Sequence, residues 1–286
     1  MSSRQDASVI TPFVAGFATQ SGGWLPMNPL TAPVALGEFG QWHDGAFVGL
    51  GNIADLTLVQ PVDASEPQAL SEHWHGQSGV AQEYGGLSDE LQGFGGEGSG
   101  QFWQKRVLGF DGVGSYVFHG RTPQGQWLMN WTEFAPDITL KLTQSAFGFR
   151  DVWVITAVAT VAEWGLIVSA RSGAELVMVC EDESDWAGLS HASTRLVQSR
   201  GLAQLTLGTD QTGYFFQAKK LVLSQHKYDQ LLQELLQQPA SLGGGPLDYW
   251  LSQGLMSRIP GQEINAASCL ETFDWATVTY ADLHPC

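Results

Sequence analysis

The sequence predicts an α+β fold: a central twisted, mostly antiparallel sheet, a few flanking helices, and a C-terminal tail of different character. Three observations point there. Short segments rich in Val, Ile, Leu and aromatic residues recur between Gly- and Pro-containing turns, the pattern of strands rather than helices. Of the 286 residues 43% are hydrophobic and only 15% charged, enough to bury a substantial core. Strong helical periodicity is confined to SQHKYDQLLQELLQQ, which puts Tyr228, Leu231, Leu232, Leu235 and Leu236 on one face between a Ser224 cap and Pro239.

Residues 24 to 58 open with three prolines and then place Gly37, Gly40, Gly45, Gly49 and Gly51 among apolar residues, which predicts short strands and tight turns. GQSGVAQEYGGLSDELQGFGGEGSG, residues 76 to 100, is Gly-rich and polar, and is expected to be a mobile loop. SYVFHG, QWLMNW and ITLKLT then read as strands separated by turns at RTPQG and FAPD.

DVWVITAVATVAEWGLIVSAR, residues 151 to 171, is long and apolar enough to be compared with a membrane span. As a spanning helix it would place Glu163 near mid-membrane, at a cost of a few kcal/mol. As two strands with Ala162 to Gly165 as their connection, the carboxylate stays in water, and the Val and Ile content suits a sheet. ELVMVC, STRLVQS, LAQLTL and GYFFQAKKLVLS are further strands, with an acidic linker EDESDWAGLSHA after the first. The chain therefore divides into a sheet-rich domain, 1-240, and a tail, 241-286, with a Gly hinge, a short helix at 246 to 255 and a strand-like WATVTY.

Chemistry is sparsely marked. Asp plus Glu number 29 against 13 Lys plus Arg, a formal charge of -16 that repels nucleic acid and anionic lipid. Three scattered cysteines and a start without an apolar signal segment predict a cytoplasmic chain. His73 and His75 share one side of a strand reading, but further ligands are missing nearby, so they are expected to be exposed loop histidines rather than a metal site. GFGGEGSG lacks the Lys-Ser or Lys-Thr of a phosphate loop, the acidic 181 to 185 stretch lacks calcium-loop order, and no nucleophile elbow is present. The expectation is of no enzyme, cofactor, metal or catalytic residue.

Three stretches are similar to the pore-forming domain of gasdermins, bacterial members in particular: NPLTAP with ALGEFGQW and GLGNIADL, the 151 to 171 segment, and GYFFQAKKLVLS before a C-terminal helix. The resemblance implies a soluble, autoinhibited precursor, cytoplasmic when intact and membrane-bound once activated, serving in cell-death or antiviral defence. A protease cuts near the C-terminus, and the freed part forms a homo-oligomer on membrane lipid through refolded β-hairpins. Candidate hairpin strands are 164 to 180 with 193 to 207, and less clearly material between 76 and 135; their membrane-facing candidates are Trp164, Leu166, Val168, Leu176, Val177 and Val179. Arg258, in the Gly- and Pro-flanked stretch GLMSRIPGQE, is the candidate cleavage site, with Asp248 a further one. Leu270, Phe273 and Trp275 are the candidate contacts of the inhibitory tail. Two features depart from the family pattern: Ser2 and Ser3 stand where many bacterial members carry an acylated cysteine, and the charge is strongly negative. A reading of another class is a non-enzymatic β-rich binding or assembly protein, carbohydrate-binding or a particle component, using tryptophans such as Trp74 and Trp131. A hydrolase with a carboxylate pair formed only in the tertiary structure is a third.

Overall fold

The computed structural model describes residues 3–43, 45–56, 58, 61–85, 103–143, 152–181, 195–208, 212–224, 226 and 273–283. Its centre is β9 (Val152–Ser169), an 18-residue strand. Around it the main sheet assembles from β1 (Leu25–Pro26), β2 (Glu38–His43), β3 (Ala46–Asn52), β4 (Gln68–Ala69) and β5 (His73–Ser78), together with β8 (Tyr116–Trp127), β12 (Leu202–Gly208), β13 (Gly213–Leu223) and β14 (Phe273–Thr277). On one side β9 pairs with β2 and then β8; on the other it pairs with β13 and then β12, all antiparallel. A second sheet has the order β11-β10-β7-β6, built from β6 (Val80–Gly85), β7 (Trp103–Phe110), β10 (Ala174–Glu181) and β11 (Arg195–Arg200).

Both faces of β9 are covered, which explains its unbroken apolar run. One face packs on α1 (Ser3–Gln20), where Phe13 and Phe17 meet Tyr116, Phe118, Trp164, Leu166 and Phe215 in a single core. Val152 and Val154 turn to the other face, against Phe134 and Ile138 of α2 (Trp131–Thr143). Farther along, Ile167 and the neighbouring Val117 pack against Leu108, Phe110, Leu176 and Met178 of the second sheet.

Several sequence expectations are corrected. Ala162 to Gly165 is not a turn joining two strands: the chain runs straight through, and Glu163 is a bulged residue at φ 46° where β9 passes from β13 to β12. RTPQG likewise lies inside β8, with Thr122 at φ 45°. ITLKLT and FAPD belong to α2, because Phe134, Ala135, Ile138 and Thr139 are buried at helical spacing. The Gly-rich 76 to 100 segment begins as strand, the end of β5 and all of β6. WATVTY starts two residues late, since β14 begins at Phe273. No element is expected from the sequence over residues 3 to 20, where α1 forms with Pro12 inside it, and its Ile10, Phe13, Val14 and Phe17 make one helical stripe. The helix expected after Ser224, the one at 246 to 255 and the acidic linker after Glu181 lie outside the described residues.

Candidate functional site: a folded-back sheet and a tail strand

Each strand of the second sheet is the continuation of a main-sheet strand that has doubled back. β5 becomes β6 at Gly79, β7 becomes β8 through 111 to 115, β9 becomes β10 through 170 to 173, and β11 becomes β12 at Gly201. The main sheet runs β5-β8-β9-β12; the second runs β6-β7-β10-β11, the same neighbours in the same order. The four reversals lie on one line and bond to one another: Asp111 N–H donates to the Gly79 carbonyl at 2.9 Å, Gly114 N–H to Ser169 at 3.0 Å, and Ala170 N–H to Gly201 at 2.9 Å. Gly79 (φ 61°) and Gly201 (φ 70°) each reverse the chain as a single left-handed residue, a conformation favouring glycine.

The layer between the sheets is apolar near this line and polar beyond it. Arg106 is fully buried two residues past Leu108, and its guanidinium donates to Gln82 Oε1 at 2.7 Å. From the main sheet, His75 of β5 stands directly opposite His119 of β8. The His119 ring lies 6.2 Å from that of His75 and stacks on that of His73 at 5.6 Å with 24° between planes. The three histidines thus form one cluster on two strands, correcting their expected loop setting; His119 was missed because its neighbours come from register, not sequence. Burial first, then His73, holds His75 below its ordinary value of 6.5; a hydrogen bond to the Phe118 backbone acts the other way, and Arg106 adds a smaller depression. Among the described residues no three metal-ligating side chains converge; parallel stacked rings do not aim their nitrogens at one point.

The tail returns to the main sheet. β14 pairs antiparallel with β13, Phe273 opposite Leu223 and Trp275 opposite Leu221. Trp275 packs edge-on against Trp131 at 4.9 Å and donates Nε1–H to Thr139 Oγ1 at 3.0 Å. Beyond β14, Val278 and Leu283 are buried in the α1 core; Leu283 belongs to α3 (Tyr280–Leu283), where Asp282 pairs with Lys220 of β13 and Trp42 Nε1–H donates to the Leu283 carbonyl at 3.2 Å. Of the tail residues singled out from sequence, Phe273 and Trp275 therefore contact the sheet; Leu270, Arg258 and Asp248 lie outside the described residues.

Trp164, Leu166 and Val168 point into the α1 core, Leu176 into the layer between the sheets, and Val177 and Val179, also buried, to the opposite face of the second sheet. In the folded chain β10 pairs with β11 and β6 with β7, all four in the second sheet. Trp74 and Trp131, the sugar-platform candidates, are both packed: Trp74 against Phe17, Trp24 and Phe215, Trp131 against Phe134 and Trp275. Among the described residues no helix is long and apolar enough to cross a membrane. No protein-family model matches the chain, and no curated protein matches its sequence.

Proposed function

We propose that the chain is the soluble, autoinhibited precursor of a gasdermin-like membrane pore, activated when proteolysis at Arg258 frees its C-terminal strand. The observation that supports this reading is the shared neighbour order of the two sheets. Swinging the second sheet outward about its four reversals joins β7 to β8 over 103–127 and β9 to β10 over 152–181, with no strand exchanging its partner. Those lengths exceed the roughly 9–11 residues that a tilted strand needs to cross a bilayer.

Among the described residues β6 and β11 are the edge strands of the second sheet, and unpaired backbone is not tolerated in lipid. Closure by further copies satisfies those edges, so the reading includes a homo-oligomer. The tail restrains the same unit from below, because β14 lies along β13, and β13 pairs directly with β9.

Truncation after Arg258, or cutting there followed by dilution, with dye release from liposomes as the readout, tests the proposal. Leakage with ring-shaped oligomers in electron micrographs is the expected result; an inert monomeric product overturns it.

A further inference from the structure

We infer that β3 of one copy pairs with β13 of the next once β14 has left it, so that the tail strand holds the place of a second copy of this chain. This contact rests on the proposed function, which supplies the event that removes β14.

Strand direction carries it. Across the first part of β9 the main sheet is one row, β3-β2-β9-β13-β14, in which Gly51, Phe39, Val154, Lys219 and Thr277 stand side by side, as do Gly49, Gly40, Trp153, Lys220 and Ala276. All four pairings are antiparallel, so β3 and β14, the two ends of the row among the described residues, both run in the direction of β9. A second copy set beside the first in the same orientation brings its β3 to the far end of this row. Against β14 that strand would be parallel; against β13 it is antiparallel, the direction β14 itself has and the more stable arrangement per residue. Departure of β14 from Lys219–Leu223 thus opens an edge of the right polarity, and the row continues from copy to copy by one repeated, heterologous contact.

β3 is built as an open edge. Among the described residues it pairs only with β2. Val48 to Gly51 are exposed, Val48 at 48% and Leu50 at 38%, and Ala46–Asn52 carries neither the Lys nor the Pro that commonly blunts an edge. Leu50 is the extra residue of a bulge against Phe39 and Gly40, which leaves Ala46–Gly49 as the regular stretch to set against the five residues of β13 that β14 covers.

Charge selects β13 over a second β3. With a formal charge of -16 two copies repel, and residues 38–52 include Glu38 and Asp44 but no Lys or Arg. Pairing β3 with β3 would bring two acidic edges together. β13 offers Lys219 and Lys220, of which Lys220 is held by Asp282 of the tail. When the tail leaves it takes Asp274 and Asp282 with it, and the vacated edge turns basic towards an acidic partner.

Sedimentation velocity without membrane tests the contact on the full-length chain, on W275A to loosen the tail, and on W275A/V48K, which adds a cation to the edge that meets Lys219 and Lys220. The wild-type chain is expected to stay monomeric, W275A to associate with rising concentration into species beyond the dimer, and V48K to weaken that association about tenfold. An excess of a synthetic peptide copying residues 273–283 is expected to reverse it, and exchange of the β3 amides to slow in the associated form. Equal association of wild type and W275A, or assembly that stops at a dimer, would assign the contact to β3 with β3 and overturn the inference. A monomeric W275A, or association insensitive to both V48K and the peptide, also overturns it. Should W275A not fold, wild-type chain cut after Arg258 and freed of its tail fragment takes its place, and the same outcomes decide. Association through β3 without dye release from liposomes would sink pore formation alone, whereas dye release unaffected by V48K would sink this contact alone.

Discussion

Arg121 of β8 donates to the Glu163 carboxylate of β9 at 3.0 Å, at a point where both strands leave regular pairing. Each partner is nearly half exposed, 44% and 45%, so the pair contributes at most about 1 kcal/mol. The left-handed backbone at Glu163 costs about the same. E163G removes both terms and is expected to unfold within about 1 kcal/mol of wild type in urea titration. E163V keeps the backbone cost, adds a branched Cβ and loses the pair, so about 2 kcal/mol of destabilisation is expected. Equal stability of the two variants would show that the bulge is not strained.

Close approach at Gly208 supports a second prediction. A Cβ there would lie 2.3 Å from Trp164 Nε1 and 2.5 Å from Cε2, and Trp164 is fully buried with its ring against the core. G208A is expected to cost about 1–3 kcal/mol by overpacking, with altered tryptophan emission; unchanged stability would mean that β12 shifts freely over β9.

Acid should release the tail. Burial raises the Asp282 pKa, but the Lys220 side chain, followed by the Thr279 backbone N–H, outweighs it, and the net value falls below the ordinary 3.8. A carboxyl depressed in the folded chain stabilises it above that ordinary value and ceases to as pH falls through the folded one. Protease sensitivity of residues 273–283 is therefore expected to rise below about pH 4. D282N should show the raised sensitivity already at neutral pH and lose the acid step.

Trp275 tests how the tail is held. W275A removes the edge-on contact with Trp131 and the bond to Thr139, a loss of about 3 kcal/mol of docking. Exchange of the β14 amides is expected to accelerate about 100-fold. Under the proposed function, the uncut variant should also leak liposomes slowly; accelerated exchange without leakage would separate tail docking from inhibition.

Local pattern announced most strands, because β-branched and aromatic runs between glycines survive as β8, β9, β10, β12 and β13. It failed where tertiary context decides. Glu163 looks like a turn because a carboxylate in an apolar run needs water, yet a bulge supplies that exposure without reversing the chain. α2 looks like strand because Ile138, Leu140 and Leu142 alternate, while Phe134 and Ile138, four apart, face Val152 and Val154. Of the second sheet, β10 and β11 are legible as ELVMVC and STRLVQS, whereas β6 lies in the Gly-rich stretch expected to be a loop and β7 is not read at all; nor is their order legible, since neighbours such as β7 and β10 are set by the folding back of strands far apart in sequence. The histidine layer was hidden for the same reason, since His75 meets His119 only through the β5–β8 register.

A cut between β13 and β14 breaks no contact described above; the ladder from Lys219–Thr277 to Leu223–Phe273 and the Lys220–Asp282 pair all survive it. What changes is molecularity. An intact chain holds its last strand at a fixed effective concentration, whereas in a nicked chain occupancy falls as the solution is diluted. Nicked protein kept concentrated should therefore behave as uncut protein, and switch on thinning, making dilution rather than scission the step that sets timing.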